Sequence, residues 1–155
     1  KMIQKKFIFL LLLLLSSCGY EAIHSKKNII NYNFYISDLN FTGDREINLK
    51  IKEKLNNYTT NQKSKNFKLR ITSNSEKIVL VKDATGDATS FQQKIVINVE
   101  VLLDNKFKNN FMIKEIFNYK SDTNKFDLRR YEKQIKNNLA QTATDKLIVR
   151  LSNIQ

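Results

Sequence analysis

Tyr32, Phe34 and Ile36 place apolar side chains at every second position, the period of a half-buried strand. The phase then slips to Leu39 and Phe41, which predicts a bulge or bend near Ser37-Asp38. Thr42-Gly43-Asp44 ends that run. Asp44 is a good helix N-cap, and Glu46 adds negative charge to the first turn. Ile47, Ile51, Leu55 and Tyr58 recur at helical spacing, so the pattern predicts a helix from about Arg45 to Tyr58. Lys50, Lys52 and Lys54 project from its other faces.

After a polar connection, Phe67, Leu69 and Ile71 alternate and Ile78 to Val81 is strand-like. Asp83 to Thr89 is turn chemistry: small residues, two acids, and Gly86, which can take a positive φ. Phe91, Ile95, Ile97, Val99, Val101 and Leu103 share odd parity, interrupted only by Gln93. Asp104 to Asn110 is expected to be the next turn. Phe111, Ile113, Phe117 and Tyr119 carry the odd parity into a fourth strand. The alternation implies an antiparallel meander with one buried face.

A long helix starts near Phe126, with Leu128, Tyr131, Ile135 and Leu139 as its apolar stripe. Arg129, Lys133 and Lys136 fall on nearly the opposite side. Beyond Ala143 the stripe drifts toward that basic side through Leu147 and Leu151, so the helix either wraps around the sheet or breaks near Thr144-Asp145. The order β-α-β-β-β-α reads as an α+β two-layer sandwich, two helices packed on a four-stranded sheet.

The N-terminus changes the picture. Lys1 to Lys6 is basic, Phe7 to Leu15 is an uninterrupted apolar run, and Ser16-Ser17 precede the only cysteine, Cys18. The apolar run spans roughly 14 Å as a helix, against the roughly 30 Å of a bilayer core. It therefore reads as a cleaved signal of residues 1–17. Residues 18–31 form a polar tether, and residues 32–155 one α+β domain. The chain opens with Lys1 ahead of Met2, which leaves a start at Met2 or upstream open.

Composition narrows the function. Among 155 residues, 27 Lys+Arg against 15 Asp+Glu give a formal net charge of +12. Lys, Asn and Ile are abundant and share A/T-rich codons, so part of the charge reflects a coding bias. A basic surface still attracts anionic partners such as acidic lipid or phosphorylated glycolipid, and export argues against nucleic acid. One Cys forbids an internal disulfide. Cys18 and His24 together cannot make a structural zinc site, and no cofactor is implied. His24, in the tether, reads as a surface residue. Asp83 and Asp87 could be imagined as a glycosidase pair, but a polar turn explains them more simply; no catalytic residue is assigned.

Leu15-Ser16-Ser17-Cys18 resembles the lipobox of bacterial lipoproteins, in which the thiol carries diacylglycerol, the signal is cut before Cys and the new amine is acylated. The resemblance implies lipidation at Cys18, palmitate-type chains, and anchoring without a spanning helix. Gly19 rather than Asp follows, which implies outer-membrane sorting. Several features then fall together: Leu15 to Tyr20 at the lipidation site, Phe34 to Phe41 before the first helix, the turn Asp83 to Thr89 leading into Phe91, and Phe117-Asn118-Tyr119 ahead of a helix containing Asn138-Leu139-Ala140. In this arrangement the chain resembles the lipopolysaccharide-assembly lipoprotein family, LptE-like, over nearly its whole length.

That resemblance implies a non-enzymatic outer-membrane lipoprotein facing the periplasm. Such a protein would plug and help assemble an LptD-type β-barrel and assist lipopolysaccharide delivery to the outer leaflet. Family contacts with glycolipid phosphates are attributed to basic residues near a sheet edge and loop tip. Here Lys77 and Lys82 match by position, with Arg129, Lys133 and Lys136 as further candidates. The tip itself departs from that pattern, with two acids and no base. The alternative is another outer-membrane accessory lipoprotein, such as a barrel-insertion adaptor, without lipopolysaccharide binding.

Overall fold

The computed structural model describes residues 32–154. The expected leader 1–17, the tether 18–31, Cys18 and His24 lie outside the described residues. The order is strand β1 (Phe34–Gly43), helix α1 (Arg45–Leu55) extended by a 3-10 turn (Asn56–Tyr58), strands β2 (Lys65–Lys82), β3 (Ala88–Leu103) and β4 (Lys106–Lys120), and helix α2 (Lys125–Ser152). The sheet order is β1-β2-β3-β4. This is the α+β sandwich expected.

The strands β2, β3 and β4 form the antiparallel meander. β1 joins β2 in parallel. A parallel neighbour needs a crossover of about a dozen residues or more, and α1 with its following loop supplies it. The pairing shifts register between Ile36 and Asp38, where the apolar phase slips.

The turn expected over Asp104 to Asn110 is shorter. Asp104 and Asn105 alone make it, with φ of 49° and 66°, and β4 resumes at Lys106. Asp and Asn tolerate the left-handed region that such two-residue hairpins require. The first residues of β4 are exposed on both faces, so no alternation marks them as strand.

The core lies between one sheet face and the two helices. Phe67, Leu69 and Ile71 of β2, and Ile95, Ile97, Val99 and Val101 of β3, are fully buried against Ile47, Ile51 and Leu55 of α1 and Leu147 and Leu151 of α2. α2 does not break at Thr144-Asp145. Its first half buries Leu128, Ile135 and Leu139, and its second half buries Ala140, Ala143, Thr144, Leu147 and Leu151. The stripe drifts because α1 packs beside the second half. Ala140 and Ala143 of that half are fully buried, and Lys54 of α1 pairs with Asp145 of α2 at 2.5 Å. The Thr144 hydroxyl donates to the Ala140 carbonyl at 2.7 Å, so its burial leaves no donor unpaired. Tyr131, placed on the stripe by spacing, is 45% exposed.

Candidate functional site

β1 ends its pairing at Gly43 opposite Ser73, while β2 continues to Lys82. The β2–β3 hairpin therefore stands out beyond β1. Val79, Leu80 and Val81 are exposed there, and the ladder is irregular between Val79 and Lys82. The tip is built by Asp83, whose carboxylate accepts from the Thr85 hydroxyl at 2.7 Å, the Thr85 amide at 3.0 Å and the Asp87 amide at 2.9 Å. The Thr85 hydroxyl and the Asp87 amide hold that carboxyl below its usual pKa. Both acids of the tip thus serve or flank the turn, and Lys82 sits at its foot.

Lys77 lies on the helix-facing side of β2. Its ammonium stands 4.0 Å from the centre of the Phe91 ring and 2.5 Å from Oε1 of Glu132 on α2. The Tyr119 hydroxyl donates to the same oxygen at 2.9 Å. Desolvation, reinforced by Glu132, pushes the Tyr119 hydroxyl above its ordinary pKa. Phe91 and Tyr119 stack at 5.5 Å, and Tyr131 meets Tyr119 edge-on at 6.0 Å. Lys77 is thus a brace between β2 and α2.

Lys136 has a similar task. It pairs with Asp44 at 2.6 Å and Glu46 at 3.0 Å, joining α2 to the start of α1. Asp44 also caps α1 by accepting from the Glu46 and Ile47 amides, and it accepts from the Ser75 hydroxyl at 2.6 Å. Burial raises the Asp44 pKa, but the bonds from Lys136, Ser75 and the Ile47 amide outweigh it and leave the carboxyl below its usual value. Burial likewise lowers Lys136, and its two carboxylate partners more than compensate. Lys82, Arg129 and Lys133 are exposed and have no ion-pair partner among the described residues. Of the five basic residues singled out by sequence, then, two hold the fold together and three present free charge.

The opposite face of the sheet carries no helix. Its even-numbered side chains are largely polar and pair across strands: Arg70 with Glu100 at 3.0 Å, Lys94 with Glu76 at 2.9 Å, Gln92 with Asn118 at 3.0 Å and Thr42 with Thr72 at 2.8 Å. Such a face can meet water or the wet wall of another protein, and it also presents Lys114 and Lys120, which have no ion-pair partner among the described residues, beside exposed Met112 and Ile116. Among the described residues no group of three His, Cys, Asp or Glu side chains converges as a metal site. Sequence reasoning missed Glu132 and Tyr119 as partners of Lys77. Glu132 offers no local signal, since its partners lie on other elements.

No family model matches the chain, and no curated protein matches it. Solved structures do. The rare lipoprotein B of Shewanella oneidensis aligns with a TM-score of 0.59 at 16% identity, covering 74% of this chain and 93% of that one. A minor lipoprotein of Acinetobacter baumannii gives 0.58 at 12%, covering 78% and 91%. The lipoprotein B of Nitrosomonas europaea gives 0.53 at 11%, covering 78% and 86%. The chain shares the fold of these lipoproteins.

Proposed function

We propose that this chain is a non-enzymatic outer-membrane lipoprotein, anchored through Cys18, that sits within an LptD-type β-barrel, helps it assemble and assists lipopolysaccharide delivery. The observation that carries this reading is the shared fold, which spans nearly the whole Shewanella oneidensis protein. Two features of this chain support it. The uncovered sheet face is mostly polar and partly paired across strands, suited to the wet interior of a large barrel. The expected lipobox ends on the only cysteine, so the attached chains would hold the domain at the membrane surface.

The glycolipid contact falls on Lys82 together with Arg129 and Lys133, whose charges are free to meet phosphates through charge-assisted hydrogen bonds. Lys77 and Lys136 contribute only where a phosphate displaces Glu132 or Asp44. The test is gentle extraction of the native chain followed by capture and mass spectrometry. A stoichiometric large β-barrel of the lipopolysaccharide export type is expected. Recovery with a different stable partner would favour the barrel-insertion adaptor, and recovery of the chain alone would overturn the plug.

A further inference from the structure

β4 is an edge strand, paired with β3 on one side and with no described strand on the other. Successive residues of such a strand direct their N–H and C=O groups alternately to the neighbouring strand and away from it. Just past β4, the Ser121 amide donates to the Thr89 carbonyl beside β3 at 2.9 Å. The odd residues of β4 therefore bond to β3, and the even ones face outward. In agreement, Arg150 of α2 donates to the Met112 carbonyl at 3.2 Å. That bond closes one end of the edge. Beyond it the backbone groups of Lys114, Ile116 and Asn118 point away from the sheet. We propose that this edge, from Lys114 to Lys120, accepts an extended acidic segment of another polypeptide as a further strand. The inference goes beyond the barrel-plug reading and does not rest on it.

Three observations carry it. First, the two edges of the sheet differ. Among the described residues no exposed large apolar side chain lies on β1, whereas β4 carries Phe107, Met112, Ile116 and Phe117. A long edge with exposed apolar side chains is a template for strand addition. Second, the charge along this edge has one sign. Lys106, Lys108, Lys114 and Lys120 stand against Glu115 alone, and Glu115 is already paired with Lys146 of α2 at 2.6 Å. None of those β4 lysines has an ion-pair partner among the described residues. A second copy pairing through β4 would bring the same lysines against these, and like charges across strands destabilise. An acidic strand gains where a second copy loses.

Third, the side chains define the pattern of the incoming strand. Lys114, Ile116 and Lys120 share the helix-free face, and Phe117 lies on the other. The segment should therefore alternate, with acids on the side of Lys114 and Lys120 and apolar residues beside Phe117. Main-chain bonds then give the affinity, and the alternation gives the specificity.

The test uses the full chain in detergent with two blocked peptides of about six residues, one alternating Glu with Val and the other Lys with Val. Binding is read by NMR titration, and amide hydrogen exchange locates it. The Glu peptide is expected to bind with a dissociation constant on the order of 1 mM, about tenfold tighter than the Lys peptide, and to weaken as salt is raised. It should slow exchange at Ile116 and Asn118 and leave Glu115 and Phe117, already bonded to β3, unchanged. Ile116→Pro removes an outward N–H without breaking the ladder to β3. Circular dichroism should show the fold retained, and binding of the Glu peptide should fall about tenfold. Reversing the charge with Lys114→Glu and Lys120→Glu together should exchange the preference between the peptides, a readout that stands even where the proline variant fails to fold. Lys82→Ala should change nothing here, which separates this edge from the glycolipid contact proposed above. Equal binding of the two peptides, exchange slowed at odd and even residues alike, a preference unmoved by charge reversal, or two copies pairing through these amides would each overturn the proposal.

Discussion

Asp44 is the residue whose loss should be felt in three elements at once. Its carboxylate caps α1 through two amides, holds Lys136 of α2 at 2.6 Å, and accepts from Ser75 of β2. Asp44→Ala removes a cap worth about 1 kcal/mol. It also removes a charged hydrogen bond worth about 1.5 kcal/mol and a hydroxyl bond of about 1 kcal/mol, less what Lys136 recovers by keeping Glu46. The net loss is about 3 kcal/mol, or about 10 °C in a domain of this size. Asp44→Asn keeps a capping oxygen and loses the charge, so it should cost roughly half as much. Glu46→Ala, an exposed partner of the same lysine, should cost about 0.5 kcal/mol.

The pH dependence follows in sign. The folded pKa of Asp44 is depressed, so its contribution is complete above the unfolded value, about 3.9, and is lost as pH falls through the folded value. Lys136 is raised, so its share is complete below about 10.4 and is lost as pH rises through its folded value. Thermal unfolding from pH 2 to 7 should therefore show a shallower acid limb in Asp44→Asn than in the parent. Equal melting of Asp44→Ala and the parent, or an acid limb unchanged by Asp44→Asn, would refute the reasoning.

Gly43 has φ +92°, and a Cβ there would lie 1.9 Å from the Ser73 carbonyl oxygen. Gly43→Ala should therefore cost about 3 kcal/mol or more in chemical denaturation, whereas Gly86→Ala, whose Cβ would meet nothing, should cost about 1–2 kcal/mol of backbone strain alone. Glu132→Ala leaves Lys77 and the Tyr119 hydroxyl without their shared acceptor and should destabilise by about 2 kcal/mol; a loosened Tyr119 ring, read by aromatic NMR lines, would accompany it. Cys18→Ala should leave the melting temperature of the domain unchanged and move the chain from the detergent to the aqueous phase, and partitioning unaffected by the substitution would remove the anchor from the account.

The fold was legible where one face of an element is buried and the other wet. The odd parity from Phe91 to Leu103 is the signature of β3, and each of those core positions is buried or nearly so. The slip near Ser37-Asp38 translated directly into the register shift of β1. Legibility failed where burial is set by a third element. At the start of β4, Phe107 is 65% exposed, so a strand held only by its ladder to β3 looks like loop. Leu147 and Leu151 depart from the stripe of the first half of α2 yet are fully buried in the half that passes α1, and periodicity within α2 carries no record of α1. The parallel sense of β1 likewise depends on how the crossover closes, which alternation does not encode.

The basic residues carry the same lesson into the site. Lys77, Lys82 and Lys136 are equivalent as letters in a chain of net charge +12. What separates them is an acid far away: Glu132 stands 55 residues from Lys77, and Glu46 stands 90 from Lys136. A lysine so matched has its charge consumed by the fold, and an arriving phosphate must compete with a carboxylate already in place. Lys82, Arg129 and Lys133 face no such competitor. Substitution should therefore split the five into two classes with opposite readouts. Removing Lys77 or Lys136 should lower thermal stability, with any loss of anion binding following from that. Removing Lys82, Arg129 or Lys133 should leave melting within about 0.5 kcal/mol and reduce anion binding directly, most at low ionic strength. If all five behaved alike in melting and binding, the division between bracing and presented charge would be wrong.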